Sequence, residues 1–586
     1  MPALIDSVIL VDFPGIEYKI KTDTIPYQLY NPVNLPYHTS LAPIKLRIHT
    51  LHATKLEIVP QAFNSTDKYQ VFLLNDDNKS ITLTLTYTQP FSIRLTDRDF
   101  VSEYIFRINE NKMPDPDFNS LDLNLNPNNL TPLAGILSVS SSEPVSVGYI
   151  VKGQDGEDFV MQNHQLAQNN KVNLFGLYPN ADNKVKVIIT NAEGSMAHKD
   201  IIIPTGALPA EFPDSTDITV NKLDASNAQT KFIMYYPYKT QGAMPFNNPG
   251  KMASPIVLDN HGKVRWYMTV PFAMDMKPMP NGHFMVYYYG YAFKEIDLFG
   301  NIYKEFVALN GHHDFALLPN GNILYCGLDP SINNTDEDKI YEIDYRTGSV
   351  VKMINLYDIL DPTRPQEPLI ANAPNDWFHL NSLAYDATDN SIVVTGRHQS
   401  AICKIDYATS QLRWIISDPT YWKSPWSNYL LQPTSTNFEY TWGQHSVVLN
   451  PADHNKLMVF DNGNGRSYTN PLSAADSYSR LVEFTIDQKG HSVSQSFDFG
   501  KEMGSENYSP ALGSVDYVNQ DLFICFPLIM KDENGNAAQL KGTPSVRFME
   551  VDRNKNVLLD MRIKNNSGNL ANGYRTYRAH PFSFGL

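Results

Sequence analysis

Six times between residues 256 and 552 the chain repeats one short pattern: a strand ending in aspartate, a tight turn, and a strand restarting on an apolar residue. Ile256-Val257-Leu258-Asp259-Asn260-His261-Gly262-Lys263-Val264 shows it in full. Asp297, Asp344, Asp406, Asp487 and Asp552 mark the other copies. Their irregular separation is that of a unit of about 40 residues carrying insertions of different lengths. A second turn precedes some copies, as in Pro280-Asn281-Gly282 and Pro319-Asn320-Gly321. Repeated four-stranded antiparallel sheets of this size close into a β-propeller, which leaves few free sheet edges. Six hairpins predict a six-bladed β-propeller. The strand-like stretch Lys231 to Tyr236 is expected to complete the ring by pairing with C-terminal strands.

The rest of the chain is also all-β in pattern. Runs such as Ile81-Thr82-Leu83-Thr84-Leu85 and Lys184-Val185-Lys186-Val187-Ile188 alternate, are rich in β-branched residues and are bounded by turn formers. Helical periodicity is confined to Asn355–Leu360 and Thr420–Leu431. A stretch rich in Pro and Asn, Met113 to Thr131, reads as a linker, and a second break falls at Pro204 to Pro213. The expected organisation is an N-terminal β-sandwich-like domain over 1–112, a linker over 113–131, a small β-sandwich over 132–205 and the propeller over 206–586.

With 47 Lys+Arg against 62 Asp+Glu, the net charge is −15. That disfavours nucleic acid and anionic membranes, which are bound through surplus cations. No apolar run reaches the length of a membrane-spanning helix. Val8-Ile9-Leu10-Val11 lies between Asp6 and Asp12, unlike a signal peptide, so the sequence reads as a mature or trimmed form. The three cysteines, Cys326, Cys403 and Cys525, are expected to be buried thiols, with a single disulfide possible.

Three of the fifteen histidines, His313, His379 and His445, recur at an interval of 66 residues, each heading the first strand of a unit. On neighbouring blades they are expected to converge at one mouth of the central channel. Each ring could instead bridge strands inside its own blade, or the three, with Asp314, could bind a metal such as Zn²⁺. Arg397 closes the second strand of the His379 unit in Thr395-Gly396-Arg397-His398. A cation there opposes a metal and favours an oxyanion held by paired hydrogen bonds. Asn381 lies two residues beyond His379 on the same strand face and offers an amide. Arg466 closes the equivalent strand of the next unit, where Asp461 and its glycines also make an ordinary turn.

Trp377-Phe378-His379-Leu380-Asn381-Ser382, Gly396-Arg397-His398-Gln399, Gly443-Gln444-His445-Ser446 and Phe460-Asp461-Asn462-Gly463-Asn464-Gly465-Arg466 together resemble the bacterial aryl-sulfate sulfotransferases that need no adenylyl-sulfate donor. The likeness runs from about Pro132 to the C-terminus. It implies a propeller after a small β-sandwich and a channel histidine that is transiently sulfurylated. It implies His445 as nucleophile and His379 as general acid and base. His313, Arg397 and Asn381 would stabilise the sulfuryl oxygens, and Tyr577 and Arg466 would contact substrate. The implied reaction is a ping-pong transfer from small phenolic sulfate donors to phenolic acceptors, with no cofactor and no metal. A periplasmic, cell-envelope or secreted location and a homodimer are compatible with it. Tyr287, Tyr288, Tyr289 and Tyr291 would suit a flat aromatic donor, although core packing is the commoner role of such rings. The sequence departs from the family in two places: no cysteine lies between Leu431 and Trp442, and residues 1–112 have no counterpart. The competing readings are a metal-dependent sulfatase or phosphatase using the three histidines, and a non-catalytic binding propeller.

Overall fold

The computed structural model describes the nine strands within residues 1–114 and, beyond them, residues 115–586 except 155–156, 214, 224–231, 240–253, 271–272, 289–291, 309, 370–374, 540–541, 565–572 and 585–586. The chain divides into two compact units, one of residues 1–127 and 133–206, the other of residues 128–132 and 207–585.

In the first unit, the strands of residues 1–110 form a four-stranded and a five-stranded sheet. A further five-stranded sheet follows, built on the 17-residue strand Gly135–Val151. One side of that strand pairs with Phe159–Leu174, while the other meets Phe118–Leu125 along its first half and Asp182–Asn191 along its second. The pairing with Phe159–Leu174 is interrupted around Pro144, where the register shifts between Ser140 and Val145. Proline has no amide to give to the ladder, so the break falls where it stands. Phe118–Leu125 corrects the linker expected over 113–131: Leu121, Leu123 and Leu125 alternate with polar residues, and this period-two signal outweighs the flanking prolines.

Among its described residues, the second unit holds six antiparallel four-stranded blades. Blade one combines Phe232–Tyr235, Ile256–Asp259 and Val264–Tyr267 with the C-terminal strand Ala579–Phe582, which pairs with Phe232–Tyr235 and so joins the two ends of the ring. Blades two to six begin at Ala273–Pro278, Gly311–Leu317, Leu380–Asp386, His445–Leu449 and Ser514–Val518. Two blades gain a fifth strand on the outer edge: blade five the two-residue Gln432–Pro433, parallel to its fourth strand, and blade six Ser215–Asn221. The first strands of blades three, four, five, six and one pack successively against each other along the inner ring. The apolar cores lie between blades, so middle strands such as Ser391–Gly396 are buried on both faces and carry continuous apolar runs, Ile392-Val393-Val394 among them.

The repeated aspartates all sit at the turn after the third strand. Asp259 Oδ1 accepts from the amides of His261 and Lys263, Asp487 Oδ1 from Lys489 and Gly490, and Asp552 Oδ1 from Asn554 and Asn556. A short carboxylate that satisfies the turn amides explains why this residue type recurs. Short 3₁₀ turns occur at Leu356–Asp358 and Trp426–Tyr429, inside the two stretches of helical periodicity, and at Lys501–Asn507. Cys326, Cys403 and Cys525 are buried and free. No helix among the described residues is long and apolar enough to cross a membrane.

Candidate active site

Hydrogen bonds between neighbouring inner strands define which residues are equivalent. The amide of Leu383 donates to Asp314 Oδ2, that of Val447 to Ser382 Oγ, that of Val515 to Ser446 Oγ, and that of Ala579 to Ser514 Oγ. Arg578 continues this ring by reaching Asp314 Oδ1 at 2.7 Å and Asp275 at 3.4 Å. Asp314 is thereby committed to structure: burial alone would raise its pKa, but Arg578 and Lys277 hold its carboxyl well below the usual range. One residue earlier on each strand come His313, Asn381, His445 and Gly513. His379 therefore stands two residues ahead of the position that its 66-residue interval suggests. Equal spacing in number is not equal position here, because the strand starts of blades three, four and five carry different bulges.

The offset nonetheless brings rings together. His379 adopts a left-handed backbone (φ 55°), as does His313 (φ 54°), and their ring centroids are 4.8 Å apart. The His379 carbonyl accepts the Arg397 amide at 3.0 Å, so the guanidinium leaves the backbone beside that imidazole. At Gly396 the Phe378 ring packs so closely that a Cβ would lie 2.5 Å from it, which is why glycine precedes Arg397.

His445 is buried, and its tautomer is set from both sides. Nδ1 donates to Asn462 Oδ1 at 2.7 Å, and Nε2 accepts the Leu512 amide at 3.3 Å. The Asn462 amide is oriented in turn by donating to the Ser509 and Leu512 carbonyls at 2.8 and 2.9 Å. Burial, then the charge of Arg397, pushes the His445 pKa well below its ordinary value, with further lowering by His379 and Arg578. The ring is a neutral imidazole whose Nε2 lone pair is engaged only by the long bond from the Leu512 amide, which an electrophile at Nε2 would have to displace.

His379 is the electrostatic opposite. Burial alone would lower its pKa, but Glu337 and Asp376 raise it to about 9. Both carboxylates address the same atom: Asp376 Oδ2 accepts from Nδ1 at 2.5 Å, and Glu337 Oε2 lies 2.7 Å from it as an ion-pair contact. Burial alone would raise the Glu337 carboxyl, but the charge of His379 holds it well below its usual value, whereas burial raises that of Asp376. His398 stacks on the His379 ring at 4.5 Å and is held neutral, its pKa lowered to about 2 by burial and by the charges of His379 and Arg397. His313 is likewise kept neutral, mainly by burial.

Arg397 is 8% exposed and makes no ion pair among the described residues. Its Nη1 meets His398 Nε2 at 3.3 Å, and its Nε has no partner. A buried guanidinium left open in this way costs free energy unless an anion completes it.

The other residues singled out in the sequence have different roles. Asn381 donates to the Gln444 carbonyl at 2.8 Å and accepts from Thr395 Oγ1, so its amide joins blades four and five. Arg466 is tied to Asp461 Oδ2 at 3.1 Å and to the Tyr478 carbonyl at 2.7 Å, with its guanidinium 3.5 Å over the Tyr478 ring. It closes the turn instead of offering a free cation. Gly463 permits this turn, since a Cβ there would fall 1.9 Å from the Tyr478 carbonyl. Tyr577 is buried with its ring 5.8 Å from His313. Tyr287 packs in the core against Phe293 and Phe315; Tyr289 and Tyr291 lie outside the described residues.

Among the described residues, two donor groups could grip a cation: His312, His313 and Glu337, and separately Asp376, His379 and His398. Neither contains His445, whose Nδ1 is spent on Asn462. The three-histidine metal set expected from spacing is therefore not brought onto one point. The sequence reading also missed Glu337, Asp376 and Asn462. Glu337 hides in the acidic loop Asp336-Glu337-Asp338, which reads as solvated charge. Asp376 and Asn462 adjoin or belong to the quoted motifs and carried a signal.

Residues 217–575 match the family model for arylsulfotransferase (ASST), and residues 123–206 match that for an arylsulfotransferase Ig-like domain. An arylsulfate sulfotransferase AssT of Escherichia coli O6:H1 is 26% identical over 495 residues, spanning 66% of this chain and 81% of the relative. The AssT of Lelliottia amnigena is 25% identical over 558 residues, spanning 77% and 91%.

Proposed function

The chain belongs to the arylsulfotransferase family and is a transferase of sulfuryl groups between aryl carriers, and from that premise we propose a ping-pong reaction through a sulfohistidine at His445. The observation that carries this reading is a neutral His445, its tautomer set by Asn462, beside a buried guanidinium that makes no ion pair among the described residues.

Nε2 of His445 attacks sulfur, and the bond from sulfur to the aryl oxygen breaks. Its electron pair stays on the phenolic oxygen, which takes a proton from Nε2 of the His379 imidazolium. Arg397 stabilises the charge on the equatorial oxygens, as in phosphoryl transfer, where positioning and electrostatics do most of the work. The sulfurylated ring keeps its Nδ1 proton on Asn462. After the first phenol leaves, a phenolic acceptor returns its proton to His379 and attacks sulfur in the reverse sense. Phenolic sulfates and phenols are the small substrates of this scheme, and the site residues themselves supply the chemistry. Like the family resemblance, the scheme is compatible with a cell-envelope location.

Donor added without acceptor is expected to leave an acid-labile gain of about 80 Da on the peptide bearing His445. An unmodified His445 in enzyme that has released its first phenol would overturn the reading.

The pKa directions set a pH profile. The His445 pKa lies below 6.5, so its neutral form persists as pH falls past that value; the His379 pKa is about 9, so its acid form is lost as pH rises through it. The profile of kcat/KM for phenyl sulfate is expected to be flat from about pH 6.5 to about 9. An acidic limb at the ordinary histidine value would contradict the neutral nucleophile.

A further inference from the structure

Few arrangements place two carboxylates on one imidazole nitrogen. Glu337 comes from the loop between the second and third strands of blade three, and Asp376 from the approach to blade four. The Glu337 carbonyl accepts the Leu380 amide at 2.7 Å, and this anchors its backbone (φ 48°) to the start of blade four. Trp377, next to Asp376, donates its indole N–H to Asp338 Oδ2 at 2.7 Å. The carboxylates are thus delivered from two blades whose segments are tied to each other, and they meet at Nδ1 of His379. The remaining titratable and charged groups around that ring are the neutral His312, His313, His398 and His445, with cationic Arg397 beyond His398.

We infer that Glu337 and Asp376 are paired positioning residues that hold His379 as an imidazolium with Nε2 free to donate, and that they thereby fit the site to sulfate esters of unactivated phenols. This rests on the sulfohistidine reading above. The physical argument is one of matching. An unactivated phenol, with a pKa near about 10, leaves poorly as phenolate and needs its proton in the transition state. A histidine at its ordinary value would be mostly deprotonated at neutral pH and could not supply it. His379, raised to about 9, is a resident acid close in strength to the phenol it must protonate. In the return half-reaction, the neutral ring regains that proton from the acceptor phenol, and the two carboxylates stabilise the imidazolium that results. Nitrophenolate leaves without such help, so a nitrophenyl ester needs neither carboxylate.

The test compares 4-nitrophenyl sulfate with phenyl sulfate for the wild type, Glu337→Gln and Asp376→Asn, with phenol or a substituted phenol as acceptor. Each variant is expected to lose about 10²-fold in kcat/KM on phenyl sulfate and less than about tenfold on 4-nitrophenyl sulfate, the selectivity expected when a general acid is lost. The basic limb near pH 9 should move down by about one unit in each variant. The nitrophenol burst, equal to the active-site concentration, counts folded sites in every preparation. Equal losses on the two donors, or an unmoved basic limb, with the burst retained would overturn the inference and leave the sulfohistidine intact. Absence of a burst in the wild type would instead overturn the underlying reading. Should Glu337→Gln fail to fold, Asp376→Asn carries the same comparison.

Discussion

Replacing His445 with asparagine is expected to lower turnover of any aryl sulfate by at least roughly 10⁴-fold, since the change removes the nucleophile of the proposed sulfohistidine scheme. The side chain is buried, and the shorter asparagine can place its amide N–H where Nδ1 was, keeping the bond to Asn462 Oδ1 while the Leu512 amide loses its acceptor. The variant should therefore fold, bind donor and release no burst of phenol. Stopped-flow measurement of the burst with 4-nitrophenyl sulfate checks this, alongside the thermal midpoint. A His445→Asn enzyme that still produced a full burst would move the nucleophile to another ring, His313 being the nearest neutral candidate. A protein that bound aryl sulfates unchanged and whose wild type never turned over would instead be a binding propeller.

The second large effect is expected at Arg397. Substitution by methionine keeps the length and apolar contacts of the stem but removes the fork, and should lower kcat by about 10³-fold, the scale of a lost transition-state charge stabiliser. Lysine keeps the charge without the paired geometry, and should recover part of the loss, leaving a deficit of about 10- to 100-fold. A second consequence follows from the charge itself. Because the Arg397 cation adds to burial in pushing the His445 pKa down, its removal should move the acidic limb of the pH profile upward, and the lysine variant should move it less. Steady-state kinetics across pH for both variants tests this. Equal activity of Arg397→Met and wild type would mean that the oxyanion is held elsewhere, with Arg578 the next buried cation.

Much of the architecture is legible in residue order because its causes are local. A carboxylate that caps the turn amides of its own hairpin, as at Asp259, Asp487 and Asp552, needs no distant partner, so it recurs wherever the hairpin does. The closure of the ring by Phe232–Tyr235 and Ala579–Phe582 is less local, but the six-hairpin count demands some such pairing. The Phe118–Leu125 strand was hidden by prolines and asparagines near it, although its own alternation was present.

The site divides in the same way. His445, His379 and Arg397 can be found in motifs because each lies at a strand end whose neighbours constrain it locally. Their electrostatic states cannot. His379 and His445 have the same intrinsic chemistry and similar settings in the sequence, yet one is held as a cation by Glu337 and Asp376, and the other is kept neutral by burial and Arg397. Charge on an imidazole depends on what surrounds it within a few ångströms, and in a propeller those surroundings come from other blades. Residue order established the repeat, the ring and the list of reactive side chains; only the folded chain, by setting which groups share a desolvated space, decided that His379 is held as a cation and His445 as a neutral ring, and that Arg466 is paired with Asp461 and Asn381 with the Gln444 carbonyl.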